Sequence, residues 1–193
     1  MFFILFIMIL KGYCFLELGR IYDLEDIVKK VKIEFEKRSE IDSVIYSNYY
    51  KLSTYFYEKK GDYDSYYYAA LQYLAYEKHI AENEKLELCF NMCVATLIGE
   101  KMFNFAELIE KDFFILMKGS KYEWIYNLIF SFNSAKVDQF ESMIKSYESQ
   151  INSIQILKSK KEFLYLKIRI AAFLELAFQK NKSERIISFK EIM

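Results

Sequence analysis

Few residues in this chain could carry out catalysis. His79 is the only histidine among 193 residues, and no sequence pattern places a Ser or Cys nucleophile in a recognisable set with it. A nucleophilic triad needs a nucleophile, a base and a group that orients the base. Gly12 and Gly19 do not belong to a phosphate-binding loop, because no Gly-Lys-Ser/Thr sequence follows them. The sequence therefore predicts that the protein is not an enzyme and binds no cofactor.

The three cysteines, Cys14, Cys89 and Cys93, are better explained by packing than by metal binding. Cys89 and Cys93 are one helical turn apart within an apolar pattern, which is typical of buried free thiols in a reducing compartment. A structural zinc site needs further Cys or His ligands, and the sequence offers one histidine and no second cysteine pair. We therefore predict no metal site.

Two pairs of carboxylates lie close together in the sequence. Glu25 and Asp26 form one pair, and Asp62 and Asp64 form the other. Each pair falls near the start of a predicted helix, where the helix dipole favours negative charge. We interpret these residues as helix-capping groups rather than as an acid and a base for catalysis.

The composition indicates a helical protein with a substantial core. Hydrophobic residues make up 53% of the chain and aromatic residues 19%, which argues against a disordered chain. Proline is absent and glycine occurs five times. A β-protein of this length needs many tight turns rich in both residues. Their scarcity therefore favours long helices with short polar connections.

The charge balance argues against a nucleic-acid-binding module. The chain has 27 basic and 27 acidic residues, whereas nucleic-acid binding normally depends on a basic excess. The segment from Lys145 onward is mildly basic, but Glu148, Glu162 and Glu175 interrupt it. We interpret this segment as a solvated helix face.

Apolar residues recur with the period of an amphipathic helix along most of the chain. Asp23 and Asp42 are predicted N-caps, and Gly61 and Gly119 are predicted to end helices. No segment alternates long enough to predict a strand. The predicted helices cover residues 2–18, 24–37, 43–59, 62–78 (or 64–78), 83–101, 105–110, 113–118, 122–132, 136–148 and 153–179.

Residues 1–10, MFFILFIMIL, form an uninterrupted apolar run. This run is too short to cross a membrane, which takes about 20 residues. A signal peptide would begin with basic residues and end with small ones, but here Lys11 follows the run and residues 13–18 continue its apolar character. We expect a helix over residues 2–18 that is buried between neighbours or against another protein. A signal peptide or membrane anchor is the alternative.

Consecutive helices form the predicted repeating unit. Tyr46, Tyr50 and Tyr57 lie on one predicted helix, and Ala69 and Ala70 on the next provide small residues between bulky rings. This arrangement is typical of a tetratricopeptide-like hairpin. Such hairpins bury their faces by stacking on one another. The sequence therefore predicts an all-α fold, a right-handed α-solenoid of tetratricopeptide-like helix pairs.

The tyrosine-rich segment 46–76 allows two further interpretations. Aromatic rings stack on single-stranded bases, and Lys51, Lys59 and Lys60 lie nearby. Tyrosine is also enriched in grooves that bind other proteins. The helical spacing of the rings and the neutral net charge favour packing within the core and between repeats.

Two segments carry a resemblance to a known family. Residues 99–108 read GEKMFNFAEL, and residues 132–140 read FNSAKVDQF. With the tyrosine-rich helices, they resemble the family of non-ATPase lid subunits of the 26S proteasome known as subunit thirteen. The helical repeats and winged helix of that family form a PCI domain. The positions to which the resemblance gives a structural role are Gly99, Glu100, Phe103, Asn104, Phe105, Glu107, Leu108, Trp124, Phe132, Asn133, Ser134 and Phe140.

The resemblance implies a non-catalytic scaffold in the lid of the proteasome regulatory particle, which supports ubiquitin-dependent protein degradation. It implies a hetero-oligomer with other lid and base subunits in the cytoplasm and nucleus, with neither nucleic acid nor membrane as a partner. One alternative is a PCI subunit of another complex, such as the signalosome or a translation initiation factor. The other is a free helical-repeat adaptor that binds peptides or RNA.

The sequence departs from the family pattern at several turns. Family members usually have Gly at the positions of Ala106 and Ala135, and Pro at the position of Asp112 or Phe113. The turns at these positions are therefore expected to differ in shape from those of the family.

The resemblance also divides the chain into a helical-repeat domain at residues 1–183 and the start of a winged helix at residues 184–193. Ile187, Phe189 and Ile192 in the second segment are expected to contact a partner. The rest of the winged helix and the long C-terminal helix of the family are expected to be missing. Either the protein is a reduced version, or the sequence is an incomplete gene model.

Overall fold

The structure is a computed structural model that describes residues 2–38, 40–180 and 187. These residues form twelve α-helices and contain no β-strand. Helices that follow one another in the chain pack as pairs, which confirms the predicted all-α helical-repeat class; the right hand of the solenoid stays a prediction. The helices are α1 (Phe2–Glu17), α2 (Ile21–Glu36), α3 (Ser43–Lys60), α4 (Tyr63–Tyr76), α5 (Glu82–Ile98), α6 (Ala106–Ile109), α7 (Asp112–Ile115), α8 (Glu123–Asn133), α9 (Val137–Ser146), α10 (Glu148–Ser153), α11 (Gln155–Ser159) and α12 (Lys161–Gln179).

The chain divides into two compact units, unit 1 (Met1–Leu88) and unit 2 (Cys89–Met193). In unit 1, α3 packs on α4, and α1 packs on both α2 and α3. Gly12 permits the close approach of α1 and α3, because a Cβ at this position would lie 2.5 Å from Leu52 Cδ2. Full burial of an aliphatic side chain contributes about 1.5–3 kcal/mol. The buried aliphatic side chains of unit 1 include Ile9, Leu24, Val31, Ile45 and Leu52.

Polar caps set the ends of α3 and α4. The Asp42 carboxylate accepts a hydrogen bond from the backbone N–H of Val44 at 2.8 Å, and Asp62 accepts one from the N–H of Ser65 at 3.1 Å. Gly61 ends α3 in the left-handed conformation with a φ of 72°, which glycine adopts without a Cβ penalty. The predicted roles of all three residues are confirmed.

The prediction that Asp23 caps α2 is wrong. The helix begins at Ile21, with Arg20 at the N-cap position. Asp23 lies within the first turn, where its carboxylate forms an ion pair with Arg20 at 2.8 Å. The Arg20 guanidinium also lies 4.9 Å from the centre of the Phe15 ring. Arg20 therefore stabilises the turn between α1 and α2 in place of a carboxylate cap.

The tyrosines of unit 1 pack between helices. The Tyr76 ring stacks on Tyr46 and Tyr50, with ring centres 4.6 and 5.7 Å apart. Phe35 meets Tyr49 edge-on at 4.8 Å. Burial raises the pKa of Tyr49 well above its ordinary value, because the charged phenolate would lose its hydration. These contacts are the ones expected when tyrosines at helical spacing form the packing between helices.

In the part of unit 1 that the structure describes, one side of α1 is buried and the other is exposed. Leu5 and Ile9 are buried, whereas Phe3 and Ile7 are 73% and 61% exposed. The side of α1 with Leu5 and Ile9 is therefore buried as expected, and cover of the opposite side by another protein stays a prediction. In the ranges that the structure describes, no helix combines the length and the apolar character needed to span a membrane.

Unit 2 is built largely from short helices. The single helix predicted over residues 153–179 is two helices, α11 and α12, and residue 153 is the last residue of α10. Ile154 is extended between α10 and α11, with φ −105° and ψ 105°, and Lys160 interrupts the chain before α12. These helices pack in sequence on one another, so the apolar pattern continues across breaks of one residue. Gly119, predicted to end a helix at residue 118, lies in a left-handed turn after α7 has ended at Ile115.

Candidate interaction site around Lys167

The two segments that carry the family resemblance meet in unit 2. The Phe105 ring, from the first segment, stacks on the Phe132 ring, from the second, with centres 4.2 Å apart and planes inclined by 14°. Phe132 also meets Phe140 edge-on at 5.4 Å. All three rings are buried. The segments therefore form one packed region, called the junction (residues 99–108 and 132–140 together with Lys167).

Lys167 is the polar centre of the junction. Its side chain projects from α12 and is completely buried. The ammonium Nζ donates hydrogen bonds to the backbone carbonyl oxygens of Thr96, Leu97 and Gly99 at 2.6, 3.2 and 2.5 Å. These carbonyls lie at the C-terminal end of α5, where backbone acceptors have no partner inside the helix. Lys167 therefore caps α5 from a distant position in the sequence.

Aromatic rings surround the same ammonium group. The ring centres that lie 5.5 to 6.0 Å from Nζ belong to Phe103, Phe105, Phe132 and Phe163. The face of an aromatic ring attracts a cation, and so does the negative C-terminal end of a helix dipole. A buried charge without such partners is strongly unfavourable. The carbonyls and rings together therefore stabilise the charge of Lys167 in the core.

Local geometry shapes the backbone of both segments. Asn104 Oδ1 accepts a hydrogen bond from the N–H of Ala106 at 3.0 Å, at the start of α6. Because Ala106 is helical, glycine is not needed there. Ala135, after α8, adopts a left-handed backbone with a φ of 52°, which costs a non-glycine residue about 1–2 kcal/mol. The turn at Ala135 therefore keeps a conformation suited to glycine although the sequence has alanine.

The junction opens on a groove of about 390 Å³. Aromatic and amide side chains from both segments line it, together with the C-terminal end of α12, where Phe178 is 72% exposed. Asn104 and Asn133 are exposed at the groove, and Glu175 adds a carboxylate. Interfaces between proteins combine aromatic groups with polar groups at the rim. The groove therefore has the chemistry of a protein-binding surface.

The other positions of the resemblance divide into packing residues and exposed polar residues. Leu108 is buried, and Trp124 is half-buried between Phe90 and Tyr147, with ring centres 6.1 and 6.2 Å away. The exposed polar positions are Glu100, Glu107, Asn133 and Ser134. Leu108 and Trp124 therefore contribute to the packing of unit 2, whereas the exposed polar residues are accessible to a partner.

The predicted partner contacts near the C-terminus lie mostly beyond the described residues. Ile187 is half-buried, whereas Phe189 and Ile192 lie outside the residues that the structure describes. Their contact with a partner, and the domain division between residues 183 and 184, therefore stay predictions.

The cysteines of unit 2 are packing groups. Cys89 and Cys93 are fully buried free thiols, as predicted, and their Sγ atoms lie 3.2 and 3.6 Å from Sδ of Met117. Burial raises the pKa of the Cys93 thiol, because the thiolate would lose its hydration. Among residues 2–38, 40–180 and 187, no three His, Cys, Asp or Glu side chains come together as a metal-binding group.

Sequence reasoning does not single out Lys167, because a lysine in a helix is normally a surface residue. One signal is present in the sequence. Lys167 is three or four residues from Phe163, Leu164 and Ala171, so it shares the apolar face of the helix with them. A lysine on the apolar face of an amphipathic helix is the pattern that would have identified it.

Comparison with known proteins identifies the family. A family described as PSD13 N-terminal repeats matches residues 3–129, more than half of the chain. The 26S proteasome non-ATPase regulatory subunit 13 of Dictyostelium discoideum is 30% identical over 175 residues, 90% of this chain and 46% of that protein. The homolog A of this subunit in Arabidopsis thaliana is 26% identical over 186 residues, which are 95% of this chain and 48% of that protein. The 26S proteasome regulatory subunit RPN9 of Saccharomyces cerevisiae is 29% identical over 171 residues, which are 86% of this chain and 42% of that protein.

These matches agree with the resemblance found in the sequence. The chain spans about half the length of the curated relatives it matches. The matched residues 3–129 contain α2 to α7 and the first of the two junction segments. The chain therefore belongs to the family of PSD13 N-terminal repeats.

Proposed function

We propose that this protein is a non-catalytic scaffold in the lid of the 26S proteasome regulatory particle, and that it supports ubiquitin-dependent protein degradation through that assembly. The observation that carries the proposal is the match of most of the chain to proteins named as regulatory subunits of the 26S proteasome. Two of these relatives are named non-ATPase subunits, which fits a role without a reaction of its own.

The chemistry of the described residues supports a scaffold rather than a catalyst. The Lys167 amine is buried and donates to three carbonyl oxygens, so it is not placed to attack a substrate. His79 is exposed, and its backbone N–H donates to Glu77 Oε1 at 3.1 Å. Both interactions stabilise the shape of the chain, and a defined shape is what a scaffold offers its partners.

The proposed partners are other lid and base subunits, so that the protein forms part of a hetero-oligomer. Exposed apolar side chains on α12 support contact with proteins, since Leu166, Phe173 and Phe178 are 55%, 46% and 72% exposed. Clusters of large exposed apolar groups mark interaction surfaces. By the same proposal the protein acts in the cytoplasm and nucleus, where fluorescence microscopy of a tagged version should find it.

The experiment that tests the proposal is an affinity purification of the tagged, full-length protein from its own cells at moderate salt, with mass spectrometry of the partners. Recovery of other lid and base subunits in comparable amounts would support the proposal. Recovery of folded protein without them would contradict it.

A pair of variants makes this purification specific for Phe178, an exposed apolar residue of α12 beside the groove. Phe178→Glu places a charge on an exposed apolar residue beside the groove, so it should reduce the recovery of partners without unfolding the chain. Ile115→Glu is the matched control, because Ile115 is 62% exposed on α7 and receives the same change. Equal recovery with both variants would show that the exposed side chain of Phe178 beside the groove does not hold a lid partner.

The same purification separates the alternatives. Signalosome or initiation-factor subunits in place of proteasome subunits would assign the protein to another PCI complex. Co-purified RNA that is lost as the salt concentration rises would favour a free RNA-binding adaptor, because phosphate contacts weaken with salt.

A further inference from the structure

A groove of about 480 Å³ lies within unit 1. Residues of α2, α3 and α4 line it, and α3 packs on both of the other helices, so α3 lies between the two sides of the groove. We call it the tyrosine groove, because the aromatic side chains that line it, apart from Phe35, are Tyr46, Tyr49, Tyr50, Tyr57, Tyr68 and Tyr76.

The rings give the groove flat apolar surfaces. Tyr46 and Tyr50 lie one turn apart on α3, with ring centres separated by 6.3 Å and planes inclined by 15°. Tyr76 of α4 stacks on both, with its plane inclined by 18° and 5° to theirs. These three rings are half-buried, and Tyr68 adds a ring that is 56% exposed. Nearly parallel rings that packing holds in place form a fixed surface for an apolar group.

The same side chains bring phenol hydroxyls together. Burial raises the pKa of Tyr50 above its ordinary value, and three neighbouring tyrosines add to the rise because their hydroxyls lie close to it. In the part of the chain that the structure describes, no other residue forms a hydrogen bond with these four hydroxyls, which belong to Tyr46, Tyr50, Tyr57 and Tyr76. A phenol hydroxyl donates to a carbonyl oxygen. The groove therefore offers a cluster of donors beside the ring faces.

The charged side chains of the groove balance each other. Lys32 and Glu36 lie one turn apart on α2, and both are exposed. One positive and one negative charge give no net attraction for a polyanion such as RNA or an anionic lipid surface. A complementary occupant has little net charge, apolar surface for the rings and acceptor oxygens for the hydroxyls.

We propose that the tyrosine groove binds a proline-rich segment of a partner protein in the polyproline II conformation. Such a segment has no internal hydrogen bonds, so its carbonyl oxygens are available to the hydroxyls, and its rings dock in aromatic-lined grooves. An α-helix is a poorer match, because its carbonyls are engaged within the helix. A second copy of this sequence could not supply the segment, since the 193 residues contain no proline.

The first test is direct binding of a proline peptide to the purified full-length chain. A fluorescein-labelled oligoproline of about ten residues adopts the proposed conformation without further sequence, and fluorescence polarisation follows its binding. A glycine–serine peptide of the same length and label is the control, because it is a flexible coil. Saturable binding of oligoproline alone, with a dissociation constant below about 1 mM, would support the proposal. Failure of oligoproline to bind, or equal binding of both peptides, would overturn it.

Variants locate the binding in the groove. Tyr68→Ala should weaken the binding of oligoproline at least about tenfold, as for an aromatic residue central to an interface. Tyr22→Ala is the matched control, because the same side chain is removed from a residue of α2 that is 89% exposed and lies outside the groove. Circular dichroism would establish that both variants are folded. Equal affinities of the two variants for oligoproline would overturn the proposal.

A second variant keeps the rings and removes hydroxyls, so it is expected to fold. Combining Tyr50→Phe and Tyr76→Phe should weaken the binding of oligoproline about fivefold, because bound carbonyls lose their donors. An unchanged affinity would contradict the proposal, since the donors distinguish a polyproline II segment from other apolar ligands. Binding of a labelled oligouridine that Tyr68→Ala abolishes would also contradict it, because the groove would then be a nucleic-acid site.

The inference goes beyond the proposed function, because it holds for whichever complex contains the protein. The peptide experiments use the isolated chain and need no proteasome subunit. Failure of oligoproline to bind would therefore overturn this inference alone. Absence of lid and base subunits from the affinity purification would contradict the proposed function alone.

Discussion

In unit 1 the buried polar side chains include the uncharged Ser47, Ser53 and Thr54, whereas in unit 2 the charged side chain of Lys167 lies in the core. The helices α3 and α4 of unit 1 are separated by Gly61 and Asp62, which cap them locally. In unit 2, the end of α5 is capped by Lys167, which follows Gly99 by 68 residues in the sequence. Local signals therefore define the helices of unit 1, and a long-range contact organises the junction of unit 2.

This difference predicts different weaknesses. Unit 1 distributes its packing over many aromatic rings, so a single substitution should affect it less than a condition that acts on all tyrosines together. The junction of unit 2 depends on a few buried groups that contact one another, Lys167, Phe105 and Phe132 among them. One substitution there removes several contacts at once.

A rise of pH above 10 should have the largest effect, and it should act on unit 1. Burial raises the pKa of several tyrosines there above their ordinary value of 10.0, because the phenolate would lose its hydration. The folded state then holds these protons more tightly than the unfolded chain, so their contribution to stability is complete below pH 10 and is lost as the pH rises through the folded-state pKa values. The tyrosines concerned are Tyr13, Tyr49, Tyr50, Tyr57, Tyr63 and Tyr73.

Thermal unfolding at a series of pH values, with the ultraviolet absorbance of tyrosinate as a second signal, measures this effect. Tyr49→Phe should make the unfolding temperature fall less steeply as the pH rises above 10. Tyr22→Phe is the matched control, because the same hydroxyl is removed from a residue that is 89% exposed. An unfolding temperature that stays constant across and above pH 10 would refute the prediction.

Phe105→Ala should cause the largest loss among single substitutions. The ring is fully buried and stacks on Phe132, and truncation of a buried phenylalanine costs about 3–5 kcal/mol. Urea unfolding followed by the fluorescence of Trp124, the single tryptophan of the chain, would report on unit 2. The exposed Phe178→Ala should change the free energy of unfolding by less than about 0.5 kcal/mol. A loss below about 1 kcal/mol for Phe105→Ala would mean that the ring does not support the core.

Lys167→Met should lower the free energy of unfolding by about 2–4 kcal/mol, because three buried carbonyls lose their charged donor. The same urea experiment measures it. Lys158→Met, at an exposed lysine of α11, should stay within about 0.5 kcal/mol of the wild type. An unchanged stability of Lys167→Met would show that the hydrogen bonds and ring contacts do no more than offset the burial of the charge.

A matched pair of small changes gives the finest comparison of the two units. Gly61→Ala forces a Cβ into a left-handed position, and Ala135→Gly removes one from such a position. After allowance for the entropy of the unfolded chain, Gly61→Ala should lower the free energy of unfolding by about 0.5–1 kcal/mol. Ala135→Gly should raise it by a similar amount. Chemical denaturation of both variants would measure the two effects. Changes of the same sign would contradict the account of these turns.

Much of the fold follows from sequence where its causes are local. Helical periodicity and the caps at Asp42, Gly61 and Asp62 define α3 and α4, because each residue acts on the backbone within a few positions of itself. The breaks at Ile154 and Lys160 are not visible in the same way, since the apolar pattern continues through them. Asp23 is also a plausible cap from the sequence, but α2 begins at Ile21, with Arg20 at the N-cap position.

The candidate site also combines features that the sequence reveals with features that only the structure reveals. The two junction segments are recognisable in the sequence, and the buried rings of Phe105, Phe132 and Phe140 are where the resemblance suggests packing. Their meeting around Lys167 is not recognisable, because the hydrogen bonds join residues 68 to 71 positions apart. Periodicity describes which face of a helix is apolar, and it does not reveal which carbonyls that face will meet.

By itself, the sequence determined the all-α class, most helices of unit 1 and the family, because periodicity, caps and short motifs are properties of neighbouring residues. Only the tertiary structure decided that Lys167 lies in the core and that one side of α1 remains exposed. The physical reason is that burial depends on what packs against a side chain from elsewhere in the chain. A lysine is stable in a core when distant carbonyls and rings surround it, and the exposure of an apolar helix face depends on which other elements pack on it.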